Sequence, residues 1–225
     1  MEDININSEM TVTLIDSMGT DLTVVNAARV SFNKESEWEQ ITPAGPVPGL
    51  MLSQDEKLIY YLARNKHWTP FGHCVLQFRI KAPIFVARQL GKHQVGLVWN
   101  EVSRRYVDYQ PEFFKPKEWR GKPEKKKQGS SEKTIEYDCL PAYSYAQQCY
   151  TNMLDKGIAP ELARMVLPQS IFTEWYWTGS LLAFSRICSL RLKDDAQFET
   201  RQVAIQIDKE CFSTFPISWD ALSKS

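Results

Sequence analysis

This 225-residue sequence lacks glycine-rich motifs. Its ten glycines never occur as GxG, and none begins a GK[ST] motif. These absences exclude the usual dinucleotide-binding fingerprint and the P-loop, in which glycine lets the backbone approach phosphate closely. The HExxH and GxSxG motifs of common hydrolases are also missing. The three histidines, His67, His73 and His93, are dispersed, so we expect no metal site.

An excess of one charge and long apolar runs are also absent. Lysine and arginine together equal aspartate and glutamate at 27 each, so the overall field does not attract nucleic acid or acidic membrane. The start, MEDININSEMTVTLID, is acidic without an apolar signal core, and no stretch of about 18 apolar residues occurs. We expect a cytoplasmic protein with no nucleic-acid or membrane partner, in which anions bind only locally.

Cysteine is scarce and does not occur in pairs. The five cysteines are an odd number at wide spacings, without a CxxC motif that would indicate a redox pair or a zinc knuckle. We predict reduced thiols packed in the core, at Cys74, Cys139, Cys149, Cys188 and Cys211.

Apolar residues make up 43% of the chain, enough for one full core, and we predict a single domain over residues 1–225. Alternation in MTVTLI, VLQFRIKA and RRYVDY predicts strands. Helical spacing is found in DLTVVNAARVSF, DEKLIYYLARNKH, IFVARQLGKH, YAQQCYTNML, PELARMVL, SLLAFSRICSLRL and AQFETRQVAIQIDKECF. This pattern predicts an α/β fold of the α+β type, with a mixed β-sheet flanked by helices.

Two segments are typical of loops: NKESEWEQITPAGPVPGL and KPKEWRGKPEKKKQGSS. The second forms a basic loop near residues 115–130, with seven lysines and arginines against two acidic residues between Lys115 and Lys127. Three interpretations remain open: a solvated surface loop, an anion-steering lid over a phosphorylated substrate, or sequence-independent RNA binding.

The densest polar chemistry lies in RQLGKHQVGLVWNEVSRRYVDY, residues 88–109, directly after an apolar run. On a continuing helix Gln89 and His93 would share a face. On a strand Ser103 and Arg105 would project to one side, where a hydroxyl and a guanidinium suit a phosphate. The alternative is that these charges line a solvated face or pair with neighbouring acidic residues, Glu101 and Asp108, although apolar residues interleave with them.

Arg191 is a second cationic candidate. On a helix it ends the apolar stripe formed by Leu181, Phe184 and Cys188, so its guanidinium needs a partner near the core. That partner would be a carboxylate of another element or an anionic or polar ligand. Arg164 similarly lies among apolar residues in PELARMVLP.

Six segments in order, AARVSF, HWTPFGH, KAPIFVARQ, NEVSRRY, ELARMVLP and LRL…AQFE, resemble the landmarks of flavin-dependent thymidylate synthases, whose signature is RHRxxSxNExSxRY. The resemblance spans roughly residues 10 to 205. It implies an enzyme that converts dUMP to dTMP, with FAD reduced by NADPH and the methylene of methylenetetrahydrofolate. It also implies a homotetramer with active sites at subunit interfaces and a fold without a Rossmann domain.

Carried over residue by residue, the resemblance implies a catalytic role for Arg191, which would hold the uracil and stabilise its ionised form. The residues it places against dUMP are Gln89, Lys92, Glu101, Ser103, Arg104, Arg105, Arg164 and Arg191. Those it places against FAD are Ser31, Thr69, Lys92, His93, Gln94, Asn100, Glu101, Ser180 and Arg186. The chain departs from the signature at RHR, where it has Lys92, His93 and Gln94, and it has one extra residue before Asn100.

Two other functions use the same residues. One is a nucleotide-binding or RNA-binding module without catalysis, built on the basic loop and the pair Arg104 and Arg105. The other is a cysteine-dependent pyrimidine methylase without flavin.

Overall fold

The alternating residues of VLQFRIKA form the strand on which the main sheet is built. The computed structural model describes residues 4–38, 50–124 and 129–225. Strand Val75–Pro83 directs Leu76, Phe78 and Ile80 to one face, where each is fully buried. Successive side chains of a strand point to opposite faces, so the polar residues between them occupy the other face.

Strands and helices are interspersed along the described residues. The strands are β1 Asn5–Asn7, β2 Thr11–Met18, β3 Val75–Pro83, β4 Leu97–Glu101, β5 Glu112–Phe114, β6 Trp119–Arg120, β7 Thr134–Ile135 and β8 Phe172–Ser180. The helices are α1 Asp21–Arg29, α2 Ser53–Arg64, α3 Ile84–Leu90, α4 Leu140–Asp155, α5 Pro160–Ala163, α6 Leu181–Arg191, α7 Phe198–Thr214 and α8 Pro216–Ser223. Short 3-10 turns span Val30–Phe32, Pro70–His73 and Arg164–Val166.

The main sheet has the order β2-β3-β8-β4, and its neighbouring strands are antiparallel. A parallel pair, β1 with β5, and a short hairpin, β6 with β7, lie outside it. Helices pack on the sheet around a core that includes Trp175, Trp177 and Phe184. The predicted α+β class, with helices flanking the sheet, is confirmed, but the main sheet is antiparallel rather than mixed, since the parallel pair β1–β5 lies outside it.

Aromatic side chains join the edge strand β4 to the central strand β8. Trp99 stacks on Trp175 with ring centroids 4.3 Å apart, and its ring meets Trp177 edge-on at 5.4 Å. Such pairs contribute about 0.5 to 1.5 kcal/mol each beyond their burial. The position of β4 in the sheet, and of the polar residues on it, therefore depends on aromatic packing.

The strand predicted for RRYVDY is wrong. Hydrogen bonding to β8 ends just after Glu101, where Val102 N donates to Glu174 O at 2.8 Å. The chain then turns, and Tyr106 N donates to Ser103 O at 3.0 Å. The guanidinium of Arg104 is buried inside this turn, which an extended strand at the sheet edge would not allow.

The helix predicted for IFVARQLGKH is shorter than expected. It ends at Leu90, and the Gly91 N–H closes it on Ala87 O at 2.8 Å, so Lys92 and His93 follow the helix. Pro83 ends β3 and precedes the first helical residue. The PELARMVL helix likewise lasts only one turn before it tightens into a 3-10 turn.

The central strand β8, FTEWYWTGS, was not among the sequence-based predictions, although its alternating aromatics are typical of a half-buried strand. Of the two predicted loops, the first lies mostly in residues 39–49, outside the described residues. The second contains β6, which pairs with β7, and its residues 125–128 also lie outside the described residues.

Candidate active site

The end of α6 and the turn after α3 bring three of the predicted site residues together. Arg191 Nε donates to His93 Nε2 at 3.0 Å, and Arg191 Nη2 donates to the Gln89 carbonyl oxygen at 3.4 Å. The partners of Arg191 are therefore an imidazole and a backbone carbonyl rather than a carboxylate. Gln89 and His93 meet through Arg191, although they do not share a continuous helix.

The surroundings of His93 favour its neutral form. Its burial, and secondarily the positive charge of Arg191, lower the pKa of His93 below its usual value. Because Nε2 accepts from Arg191, the proton of the neutral ring resides on Nδ1. The positive charge at this contact thus belongs to Arg191.

A cavity of about 670 Å³ lies against Gln89 and Arg191. Its wall contains Gln197 and Glu199 at the start of α7 and Arg120 on β6. Gln89 donates to Gln197, Gln197 donates to Glu199 at 3.2 Å, and Arg120 forms an ion pair with Glu199. This volume is within the usual range for small-molecule sites.

The hairpin of β6 and β7 forms one side of this cavity. Arg120 Nε donates to Ser130 Oγ at 2.9 Å, and its guanidinium carbon lies 4.2 Å from the centre of the Phe198 ring. This part of the predicted basic loop is therefore ordered against α7. Its role toward an anionic substrate stays a prediction.

A second group of predicted residues surrounds Glu161 beyond the end of β4. Arg105 Nε lies 3.5 Å from Glu161 Oε2, and Arg164 Nε donates to Glu161 O at 3.2 Å. Both cationic side chains are exposed. The hydroxyl of Ser103 accepts from Arg105 N at 3.3 Å.

Glu101 does not pair with the neighbouring arginines. Its carboxylate accepts from Thr173 Oγ1 at 2.6 Å and from Trp99 Nε1 at 3.2 Å. Both donors belong to the main sheet, so Glu101 is anchored to the edge of that sheet. Its predicted contacts with dUMP and FAD stay predictions.

Arg104 differs from Arg105 because the Arg104 guanidinium is buried and bonded within the chain. Only 8% of Arg104 is exposed, and Nη1 donates to Tyr109 O at 2.9 Å. The guanidinium carbon lies 4.7 Å from the Tyr109 ring centre and 5.9 Å from that of Tyr150. This side chain stabilises the turn after β4, and its contact with dUMP stays a prediction.

The predicted flavin residues fall in several places along the chain. Ser180 caps α6 by accepting from Ala183 N at 3.2 Å, and its N–H donates to Gly96 O at 3.3 Å, next to the turn that carries Gln94. Lys92, Gln94 and Asn100 are exposed nearby in sequence. Ser31 and Thr69 are exposed on or beside 3-10 turns elsewhere.

Arg186 lines a cleft of about 330 Å³ together with His67 and Trp68. Aromatic faces suit a planar ring system, and cations with hydroxyls suit a pyrophosphate. The cleft therefore has chemistry that fits FAD, with aromatic faces from His67 and Trp68, which were not predicted, and a cation from Arg186, which was. The cleft in one chain approaches the lower end of the usual range for small-molecule sites, about 300 to 1,000 Å³.

The cysteines of the described residues are mostly buried, and burial disfavours the reactive thiolate form. Cys74, Cys139, Cys188 and Cys211 are buried free thiols, and Cys149 is partly buried. Burial raises the pKa of Cys74 to about 12, and burial also raises the pKa of Cys188 and Cys211. The predicted packing of the cysteines in the core is confirmed for the four buried residues, and their reduced state stays a prediction.

Several polar residues of the cavity wall were not individually predicted as site residues, among them Arg120, Gln197 and Glu199. Arg120 was considered only as part of the basic loop, and the glutamine and glutamate of the AQFE segment were given no role toward a ligand. The sequence held no clear signal for Glu199, because an acidic residue in the first turn of a helix is usually exposed, whereas here Glu199 is buried and Phe198 is partly exposed.

The fold and this site define a class of protein: an α+β domain with a polar, arginine-containing cavity and without the sequence motif of a glycine-rich phosphate loop. The family model "Thymidylate synthase complementing protein" matches residues 13–217. The flavin-dependent thymidylate synthase of Thermus thermophilus is 36% identical over 95% of this chain and 75% of its own length. That of Thermotoga neapolitana is 37% identical over 95% and 90%, respectively.

A solved structure gives the same result. The crystal structure of the UMP/dUMP methylase PolB from Streptomyces cacaoi, bound with 5-Br dUMP, is similar with a TM-score of 0.81 and 31% identity. The similarity covers 98% of this chain and 97% of PolB. This chain belongs to the flavin-dependent thymidylate synthase family, as the sequence resemblance predicted.

Neither a metal cluster nor a membrane-spanning helix is present among the described residues. Residues 4–38, 50–124 and 129–225 contain no group of three or more histidine, cysteine, aspartate or glutamate side chains that could hold a metal ion. In the same ranges no helix is long and apolar enough to cross a membrane.

Proposed function

We propose that this protein catalyses the reductive methylation of dUMP to dTMP in thymidylate biosynthesis. The carbon comes from methylenetetrahydrofolate, and bound FAD, reduced by NADPH, supplies the hydride. The observation that carries the proposal is the Arg191 guanidinium, which contacts neutral His93 and Gln89 at the edge of a 670 Å³ cavity in a chain of this family.

Arg191 binds and polarises the pyrimidine. Its guanidinium keeps N–H groups that can donate to a uracil carbonyl, and it stabilises negative charge that develops on the ring. Because His93 accepts from Nε, the direction of the guanidinium is fixed before the substrate arrives. Such preorganisation makes an electrostatic contact more effective in the transition state.

Ser103, Arg105 and Arg164 bind the 5′-phosphate. Two exposed cations on either side of Glu161 can exchange their weak contacts with this residue for charge-assisted hydrogen bonds to phosphate. An exposed ion pair contributes little by itself, about 0 to 1 kcal/mol, so the exchange costs little.

The active sites form at the interfaces of a homotetramer. Several predicted ligand residues have a large, exposed apolar neighbour: Ser31 lies between Val30 and Phe32, Gln94 precedes Val95, Arg105 precedes Tyr106, and Arg164 precedes Met165. These five neighbours are 69% to 78% exposed. Burial of such side chains against another subunit stabilises an assembly and brings its ligand residues together.

The remaining assignments concern the cofactor and the compartment. Lys92, Asn100 and Arg186 supply donors to FAD, with Ser31 and Thr69 supplying hydroxyls. The enzyme works in the cytoplasm, where dUMP, folate and NADPH are its small-molecule partners. These assignments rest on the family resemblance and on the chemistry of the donor set.

The test is dTMP formation from dUMP by purified protein, with FAD, NADPH and methylenetetrahydrofolate each omitted in turn. We expect dTMP only in the complete mixture. Binding of dUMP without dTMP formation would favour a nucleotide-binding module instead. Formation of dTMP by flavin-free protein would favour a cysteine-dependent methylase.

A further inference from the structure

Two amides and a carboxylate form a hydrogen-bonded chain along the wall of the 670 Å³ cavity. Gln89 Nε2 donates to Gln197 Oε1. Gln197 Nε2 donates to Glu199 Oε2 at 3.2 Å. Arg120 Nη2 donates to the other carboxylate oxygen of Glu199. The chain thus runs from a predicted substrate contact, Gln89, to a carboxylate that the proposed mechanism has not used.

The carboxylate determines the direction of the whole chain. A carboxylate accepts hydrogen bonds and has no hydrogen to donate, so Gln197 must turn its NH₂ group toward Glu199. The carbonyl oxygen of Gln197 then faces Gln89 and accepts from its NH₂ group. The side-chain oxygen Oε1 of Gln89 is consequently directed away from Gln197, and this side chain lines the cavity.

Arg120 and its surroundings hold the carboxylate in place. Only 9% of the Glu199 side chain is exposed, and a buried carboxylate needs a paired cation to offset its desolvation. The guanidinium of Arg120 lies over the Phe198 ring and also donates to Ser130. The β6–β7 hairpin therefore closes on Glu199 through Arg120.

We propose that Glu199, held by Arg120, is a positioning residue that presents the side-chain oxygen Oε1 of Gln89 to the bound pyrimidine. An acceptor beside the donors of Arg191 matches a uracil ring, in which an N3–H donor lies between two carbonyl acceptors. Cytosine lacks this hydrogen at N3, so a fixed acceptor rejects it. The inference deepens the proposed function and rests on it.

Glu199→Gln tests the role because it keeps the shape of the side chain and removes the obligatory acceptor. Calorimetric titration would measure the affinities for dUMP and dCMP. We expect the dUMP affinity to fall about 3- to 10-fold, the effect of one hydrogen bond. The dCMP affinity should stay level or rise, because the Gln89 amide can now turn. A merely structural role would lower both affinities together.

A double-mutant cycle with Gln89→Ala shows whether Glu199 acts through Gln89. In the Gln89→Ala background, Glu199→Gln should not change dUMP affinity further. Losses that add in the double variant would overturn the proposal.

Gln197→Met is the second variant, because it interrupts the amide chain and leaves the Arg120–Glu199 ion pair intact. Like Glu199→Gln, it should lower the ratio of dUMP affinity to dCMP affinity. It therefore tests the proposal even if Glu199→Gln does not fold. The matched control is Glu174→Gln, whose carboxylate accepts two hydrogen bonds from Arg79 at 2.8 and 2.9 Å on the exposed face of the sheet. It should leave the dUMP to dCMP ratio unchanged.

The two levels of the proposal fail differently. Wild-type protein that makes no dTMP in the complete mixture would overturn the proposed function. Wild-type protein that makes dTMP, with an unchanged dUMP to dCMP ratio in Gln197→Met and any folded Glu199→Gln variant, would overturn only the positioning role.

Discussion

Two groups of predicted substrate residues differ in how they are held. In the arginine pocket, formed by Gln89, His93 and Arg191, the guanidinium has fixed partners within the chain. At the phosphate arm, formed by Ser103, Arg105 and Arg164, the two cations are exposed and share only Glu161. The guanidinium of the pocket therefore has a fixed direction within the chain, whereas the cations of the arm are held only by weak, exposed contacts.

The difference shows which contacts carry specificity. A buried, directed hydrogen bond discriminates between ligands because the wrong ligand leaves a polar group without a partner. An exposed cation attracts any phosphate and is screened by salt. We therefore propose that the arginine pocket recognises the base and that the phosphate arm attracts the nucleotide in general.

The largest expected effect is at the arginine pocket. Arg191→Ala removes a charge-assisted hydrogen bond, which contributes about 1.5 to 3 kcal/mol, so dTMP formation should slow about 10- to 100-fold. Steady-state assays with a melting curve for each variant would measure this. Arg88→Ala, at an exposed residue of α3, is the matched control. Near wild-type turnover by Arg191→Ala would show that Arg191 has no catalytic role.

Arg104→Ala should act on stability more than Arg105→Ala does. It removes a hydrogen bond to Tyr109 O and a buried cation over two tyrosine rings. Together these contribute about 1 to 3 kcal/mol to the free energy of unfolding. Urea unfolding would measure the loss. An unchanged unfolding midpoint would mean that the turn after β4 does not depend on this side chain.

Arg105→Ala tests the phosphate arm with a smaller expected effect. The exposed contact with Glu161 should change the free energy of unfolding by less than about 1 kcal/mol. Affinity for dUMP should fall about threefold or more, since a phosphate contact is lost. Affinity for deoxyuridine, which lacks the phosphate, serves as the control and should not change. Equal losses for the two ligands would place Arg105 away from the phosphate.

The pH dependence of stability tests the neutral state of His93. Its pKa is lower in the folded chain than the value of about 6.5 in the unfolded chain. The unfolded chain therefore binds more protons below about pH 6.5, and stability falls as the pH decreases through this region. His93→Gln should remove this contribution, whereas His73→Gln, at an exposed position, should keep it. Identical pH profiles for wild type and His93→Gln would contradict the assignment.

The smallest expected effect is at the cysteines. Burial raises the pKa of Cys74 to about 12, so this thiol stays protonated near neutral pH and is a poor nucleophile. Cys74→Ser should form dTMP in proportion to its folded fraction, with no protein-bound nucleotide in mass spectra of quenched mixtures. A folded but inactive variant, together with such an adduct on Cys74 in the wild type, would favour the cysteine-dependent methylase.

Sequence patterns predicted those parts of the fold that local chemistry determines. The alternation of VLQFRIKA and the apolar spacing around Phe184 correctly identified the central strand β3 and the helix α6. The turn after Glu101 was not predicted, because RRYVDY alternates like a strand, whereas in the structure the Arg104 side chain folds back onto Tyr109 O of the same segment and lies near the Tyr150 ring of α4. The predicted helix extended past Gly91, whereas α3 ends at Leu90 and the chain then turns to place His93 beside Arg191.

The candidate site was predictable to a similar extent. Arg191 was correctly expected to need a partner, but His93 was not recognised as that partner, since the two lie far apart in sequence. Glu199 was missed as a site residue because its link to Gln89 runs through a second amide. The six ordered landmarks identified the family, whereas the contacts within the cavity needed the three-dimensional structure.

The most direct test of the central claim is a single turnover without oxygen. Protein carrying FAD that has been reduced by NADPH is mixed with dUMP and methylenetetrahydrofolate, and dTMP and flavin absorbance are followed together. We predict that about one dTMP forms for each flavin that regains its visible band, and that Arg191→Ala slows both signals equally. Flavin that stays bleached while dTMP forms, or flavin that is reoxidised without dTMP, would contradict the account.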